Sequence, residues 1–149
     1  MSPSRRQFLA LPALAAGQTA SSHPPKIVCV GGHPDDPESG CGGTLARYRA
    51  AGADVTIIYL TRGEAGIPRK SHTEAAAIRS AECAEACKIL GAKPVFAGQI
   101  DGATVVDAAA AESLRKLIFA EDPDVVFTQW PIDSHLDHQA ASTLSYRAW

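Results

Sequence analysis

The chain has no Cys-x-x-Cys pair, no apolar run long enough to span a bilayer, and no excess of basic residues. Each lack excludes something. Without Cys-x-x-Cys, the four cysteines (Cys29, Cys41, Cys83, Cys87) do not supply the usual spacing of a thiolate zinc site. Cys29 falls inside a predicted strand, and Cys83 and Cys87 stand four apart on a predicted helix. Small core residues are therefore their expected role, although an even number in an oxidising compartment permits disulfides. The apolar stretch Phe8 to Ala16 is only 9 residues long, against the roughly 18–20 that a bilayer crossing needs. Arg5 and Arg6 are the only charges before Lys26, which leaves 12 basic against 16 acidic groups in the rest of the chain. Such a balance gives no support for a nucleic-acid or polyphosphate partner. Residues 31–43 contain no G-x-G-x-x-G, the glycine pattern of a dinucleotide site. There is no internal repeat, and nothing of low complexity beyond alanine-rich helices.

What is present fits one soluble α/β domain behind a leader. A length of 149 residues with 46% hydrophobic and 20% charged residues supports one real core. Residues 1–25 read as a twin-arginine-type signal peptide. Ser4-Arg5-Arg6-Gln7-Phe8-Leu9 precedes the apolar stretch, and Gln18-Thr19-Ala20 ends in a small residue before Ser21. The expected location is therefore exported, periplasmic or extracellular in a bacterium, reached through the twin-arginine export machinery, with any metal loaded before transport.

From residue 26 strands and helices alternate. Strands are expected at about Lys26–Gly31, Asp54–Leu60, Pro94–Ala97 and Asp124–Gln129. The continuous apolar character of Val55, Ile57, Ile58 and Leu60 suits a strand covered on both faces. Helices are expected from about Gly43 to Ala51, Thr73 to Leu90 and Ala108 to Glu121, with a last one starting near Asp137. Ser71-His72-Thr73-Glu74 fits a capping box, and Gly91 fits the position after a helix end. A β-α-β-α-β-α-β order predicts a Rossmann-like three-layer α/β/α domain with a mainly parallel sheet in the order 3-2-1-4. In that order the first and fourth strands are neighbours where the winding reverses, and ligands bind outside their carboxyl ends.

Two loops rich in His and Asp follow those two strands. His33-Pro34-Asp35-Asp36-Pro37-Glu38 comes after the first, and His135-Leu136-Asp137-His138 after the fourth. Either alone reads as a turn or a helix cap. Together, at the predicted switch point, they suggest one metal site. Catalytic zinc takes three protein ligands and keeps a position for water. His33 and Asp36 can reach one ion, and His138 is the chosen third ligand. Asp35 diverges from Asp36 and is free to act as general base. His135, with Asp137 to orient or charge it, can stabilise an oxyanion or protonate a leaving nitrogen.

Several blocks in order, Gly32–Thr44, Thr61-Arg62-Gly63-Glu64, Arg79 ahead of Ile89-Leu90-Gly91, Pro123–Thr128 and His135–His138, resemble the PIG-L/LmbE-like zinc deacetylases over about residues 26–145. The resemblance implies Zn²⁺, or another divalent metal, on His33, Asp36 and His138. It implies Asp35 as general base for metal-activated water, and His135 as transition-state stabiliser with Asp137 as its partner. Arg79 and Asp101 match positions near the substrate in relatives, beside the plainer readings of a helix-surface arginine and a turn. The implied reaction is hydrolysis of an N-acyl bond, most often N-acetyl, in a small-molecule amino-sugar derivative. Leu136 stands where the family usually has proline, a change expected to alter loop stiffness and leave the ligands in place.

Family members commonly run well past 200 residues, so residues 26–149 are expected to be an LmbE-like deacetylase domain truncated at its C-terminus. An uncovered edge beside the fourth strand is expected with it. Two other functions compete with the hydrolase. One is a non-catalytic exported module that binds zinc or carbohydrate. The other is a nucleotide-binding Rossmann oxidoreductase, opposed by carboxylates where a pyrophosphate would sit.

Overall fold

A computed structural model describes residues 23–149; the leader's arginine pair and cleavage site lie outside the described residues. The elements are β1 (Lys26–Gly31), α1 (Asp36–Ala50), β2 (Asp54–Tyr59), α2 (His72–Leu90), β3 (Lys93–Phe96), α3 (Ala108–Ala120), β4 (Val125–Thr128) and α4 (Leu136–Ala148). The four strands form one sheet in the order β3-β2-β1-β4, and every pairing is parallel. The expected fold class and strand order are both observed.

Alternation along the central strands divides the core into two layers, because successive side chains in a strand face opposite ways. Ile27 and Cys29 of β1 join Ile57 and Tyr59 of β2 against Leu45 of α1 and Cys83 and Cys87 of α2. Val28 and Val30 join Ile58 and Leu60 against Leu114 and Ile118 of α3 and Leu144 of α4. Both faces are covered, which explains why β2 reads as a nearly unbroken apolar run. Among the described residues β4 has a strand neighbour on one side only. Trp130, Ile132, Leu136, Tyr146 and Trp149 are all exposed in the segments that follow it.

The helix ends follow their local chemistry. Ser71 Oγ accepts from the Glu74 N–H while Glu74 Oε2 accepts from the Ser71 N–H. Gly91 closes α2 with φ 67°, a left-handed conformation that glycine adopts at least cost.

The largest departure from expectation is α1, which starts at Asp36 and not near Gly43. Glycines 40, 42 and 43 suggested a turn. However, Pro37 and two acidic residues occupy the first turn, where proline's fixed φ and the helix dipole favour them. Burial of Leu45, Pro37 and Gly42 then holds the glycines in the helix. The earlier start places Asp36 on the first turn of a helix and Asp35 at its cap.

Candidate metal centre

The β1–α1 and β4–α4 loops leave neighbouring parallel strands at the same edge of the sheet and meet there. Gly32 is one point where they come close. A Cβ placed on it would lie 3.3 Å from the Asp137 carbonyl oxygen, from Asp36 Oδ2 and from His138 Cδ2. A side chain here would make the two loops give by a few tenths of an ångström.

Asp36 lies between two imidazoles. Its Oδ2 is 3.1 Å from His33 Nδ1 and accepts from the His33 N–H at 2.8 Å. Its Oδ1 is 3.3 Å from His138 Nε2. Each histidine presses its other nitrogen against a second carboxylate: His33 Nε2 is 3.0 Å from Asp137 Oδ2, and His138 Nδ1 is 3.1 Å from Asp133 Oδ2. His135 completes the cluster. Its ring stands edge-on to His33 and stacks on His138, both at 4.7 Å between centroids. One nitrogen from each of these three histidines lies within 4.8 Å of the others.

Burial opposes an imidazolium at His33, yet its hydrogen bonds to Asp36 and Asp137 and the field of Asp101 outweigh that and push its pKa up to about 9. Burial likewise opposes charge on Asp36, but the hydrogen bonds from the His33 ring and N–H keep its carboxyl below the usual range. Asp137 is also held low: hydrogen bonds from Thr104 Oγ1, the Gly102 N–H and His33 overcome its burial. Carboxylates thus crowd an almost buried imidazole and hold a positive charge there.

That donor set fits a zinc ion. Metal-ligating histidines characteristically donate their remaining N–H to a carboxylate, which sets the tautomer and the ring orientation. Asp137 and Asp133 are placed for this toward His33 and His138. The opposite nitrogens, His33 Nδ1 and His138 Nε2, both turn toward Asp36. Nitrogen and carboxylate oxygen are the ligand types that zinc takes in catalytic sites.

The other residues singled out from the sequence also lie here, in different surroundings. Asp35 has φ 96°, a strained left-handed conformation for a residue with a side chain. Its Oδ2 accepts from Arg79 Nη2 at 2.6 Å, and the same nitrogen also donates to the Pro34 carbonyl. Arg79 Nε is buried without an acceptor among the described residues.

Asp137 departs from the expected partnership with His135. Its carboxylate is occupied by His33, Gly102 and Thr104, and it meets His135 through the main chain, whose N–H donates to His135 Nδ1 at 3.3 Å. Asp101 is similarly engaged within the protein. It accepts from the Ala65 N–H at 2.9 Å and approaches His33 Nε2 at 3.2 Å.

Sequence reasoning missed Asp133, Thr104 and the work of Glu64. Glu64 Oε2 accepts from the Arg62 and Asp101 N–H groups and so joins the loops after β2 and β3. The Asp133-x-His135 spacing was a usable signal for the first; nothing local marked Thr104.

A 320 Å³ cleft opens over the cluster, lined by His33, Asp35, Gly63, Arg79, Asp101 and His135 among others. It is large enough for a small polar ligand.

The family described as PIG-L: GlcNAc-PI de-N-acetylase matches residues 28–149. The diacetylchitobiose deacetylase of Thermococcus kodakarensis is 31% identical over 129 residues, covering 83% of this chain and 48% of that protein. A 1D-myo-inositol 2-acetamido-2-deoxy-alpha-D-glucopyranoside deacetylase of Kineococcus radiotolerans is 40% identical over 86 residues, 54% of this chain and 24% of its own. Among solved structures, the N,N'-diacetylchitobiose deacetylase of Pyrococcus horikoshii superposes with a TM-score of 0.78 at 31% identity, covering 83% of this chain and 48% of that one. The chain therefore spans about half or less of the length of these relatives.

Proposed function

This chain belongs to the PIG-L family, and from that premise we propose that it serves a zinc-dependent deacetylase that hydrolyses the N-acetyl bond of a GlcNAc-type amino sugar. One observation carries the reading. His33 and His138 turn one nitrogen each on Asp36 and the other on a carboxylate, beside a cleft lined by His33, Asp35 and His135.

His33, Asp36 and His138 would hold the zinc, which as a Lewis acid lowers the pKa of water and polarises an acyl oxygen. Asp35 then accepts the proton of the attacking water and passes it to the leaving nitrogen as the C–N bond breaks. Its hydrogen bond from Arg79 aims the carboxylate. His135, stacked on His138, can donate to the oxygen that gains charge at the acyl carbon. Asp137 positions His33, and Asp101 with Glu64 fixes the cleft wall on that side. The amide is thus cleaved to a free amine and acetate.

The test is acetate release from N,N'-diacetylchitobiose and from an N-acetylglucosaminyl-inositol, after chelation and after zinc is restored. Zinc-restored release is expected. Binding of both sugars with no turnover at any metal content would favour the non-catalytic module and overturn the hydrolase.

We further infer export through the twin-arginine route, supported by Ser4-Arg5-Arg6-Gln7-Phe8-Leu9 and the short apolar stretch after it.

A further inference from the structure

A second group of metal-type ligands lies between the first turn of α1 and α2, and the deacetylase reading uses none of them. Cys83 and Cys87 of α2 are both buried. Four residues apart on a helix, they share one face, which the Cys-x-x-Cys criterion does not register. Glu38, on the first turn of α1, faces them. The two Sγ atoms and one Glu38 oxygen all lie within 4.8 Å of one another.

Glu38 is a half-buried carboxylate whose partners are neutral. Tyr59 Oη donates to its Oε1 at 2.5 Å, and the Asp35 N–H donates to its Oε2 at 3.1 Å. No lysine or arginine among the described residues forms an ion pair with it. Tyr59 Oη also lies 3.3 Å from Cys87 Sγ, so the phenol spans the carboxylate and a thiol. A cavity of 220 Å³, which shares Asp35 and Arg79 with the first cleft, reaches Glu38 and Cys83.

We propose that Cys83, Cys87 and Glu38 form a second cation site, for a thiophilic divalent ion of the zinc or cadmium class. Ligand atoms around a tetrahedral ion with zinc–sulfur bonds of about 2.3 Å stand about 3.8 Å apart. Atoms already within 4.8 Å need shifts of roughly 1 Å or less to close on one. The thiolates and the carboxylate supply the negative charge that the ion neutralises, and the thiol protons leave to solvent through the cavity. The cavity supplies water for a fourth position, and Tyr59 Oη, which bridges the carboxylate and Cys87 Sγ, must give up its contact with the thiol as the ion takes its place between them. Because Glu38 also holds the Asp35 N–H, an ion here stiffens the cap of α1 beneath the first centre.

The experiment uses the whole chain, reduced with a phosphine and titrated with Co²⁺ and Zn²⁺. Native mass spectrometry should count two ions on the wild-type chain, and one each on H33A/H138A and on C83A/C87A. Thiolate-to-cobalt charge-transfer absorption should appear in the wild type and in H33A/H138A, and vanish in C83A/C87A. Zinc X-ray absorption on H33A/H138A carrying one ion should show two sulfur neighbours at about 2.3 Å; this arm leaves both cysteines intact, so the folding of the cysteine variant does not bear on it. Nitrogen and oxygen neighbours alone, or no retained ion, would overturn the site. Charge-transfer absorption that persists in C83A/C87A would also overturn it, by assigning the sulfur to Cys29 and Cys41, whose Sγ atoms stand 3.5 Å apart. Loss of acetate release with the second ion still bound would count against the first centre alone.

Discussion

His33 Nε2 and Asp137 Oδ2 meet at 3.0 Å across 104 positions of sequence. This contact gives Asp137 a different role from the one suggested by its neighbour His135. Its carboxylate gathers His33, the Gly102 N–H and the Thr104 hydroxyl, so it joins the loops after β1, β3 and β4 behind the proposed metal centre. Its main effect should be on ligand orientation.

Removing a ligand and removing the base should therefore look different. His138→Ala should lower zinc affinity by more than the roughly 10–100-fold that loss of an outer partner costs. Asp35→Asn should keep its zinc and lose about 100- to 10,000-fold in turnover, the usual contribution of a general base. Metal content and acetate release on both variants check this. Equal stripping of zinc by both would sink the assignment.

Asp133→Asn and Asp137→Asn should each weaken zinc binding by about 10–100-fold, because each leaves a ligand imidazole without its carboxylate. Asp137→Asn should also lower the melting temperature, since Gly102 and Thr104 lose an ionic acceptor. Competition with a chromophoric chelator and thermal denaturation separate the two effects. If Asp133→Asn leaves affinity unchanged, its contact with His138 carries no orientation.

The metal-free protein should lose stability in alkali. His33 has its pKa raised from 6.5 to about 9 in the folded chain. Its contribution is fully present below about pH 6.5 and disappears as pH rises through about 9, an effect on the order of 3 kcal/mol. Urea unfolding in chelator across that range should show the decline, and His33→Gln should flatten it. A flat wild-type profile would refute the coupling.

Gly32→Ala tests the close approach of the loops. The added methyl meets three atoms at 3.3 Å, so Asp36 and His138 must separate by a few tenths of an ångström. Catalytic constellations tolerate about half an ångström, and turnover should fall by tenfold or more, on the order expected for small misplacements. A folded variant with unchanged turnover would show that the loops have slack.

Replacing Arg5-Arg6 with Lys-Lys should block export while the cytoplasmic protein still folds. Fractionation of cells expressing each form reads this directly. Export that persists would point to the general secretory route.

Much of this protein was legible along the chain. Apolar runs, helical spacing, caps and glycines indicated every described strand and helix, α1 without its first turns, and four β-strands separated by helices allowed few topologies. The alternation also placed both His/Asp loops at one sheet edge. α1 shows where such reading stops: glycine's low helix propensity pointed to a turn, while burial of Leu45 and Pro37 decided for a helix. Propensity is local and worth about 1 kcal/mol per glycine, and packing outweighs it.

The sequence by itself determined the fold class and the strand order, and it named the His and Asp residues of the proposed metal centre, because these depend on element order and on residue type. Only the tertiary structure decided the pairings. That Asp137 faces His33, that Asp133 faces His138, that Arg79 aims Asp35, and that Glu38 meets Cys83 and Cys87 are contacts between separate elements. Side-chain direction at such contacts is set by the packing of helices on the sheet, to which neighbours in sequence contribute almost nothing.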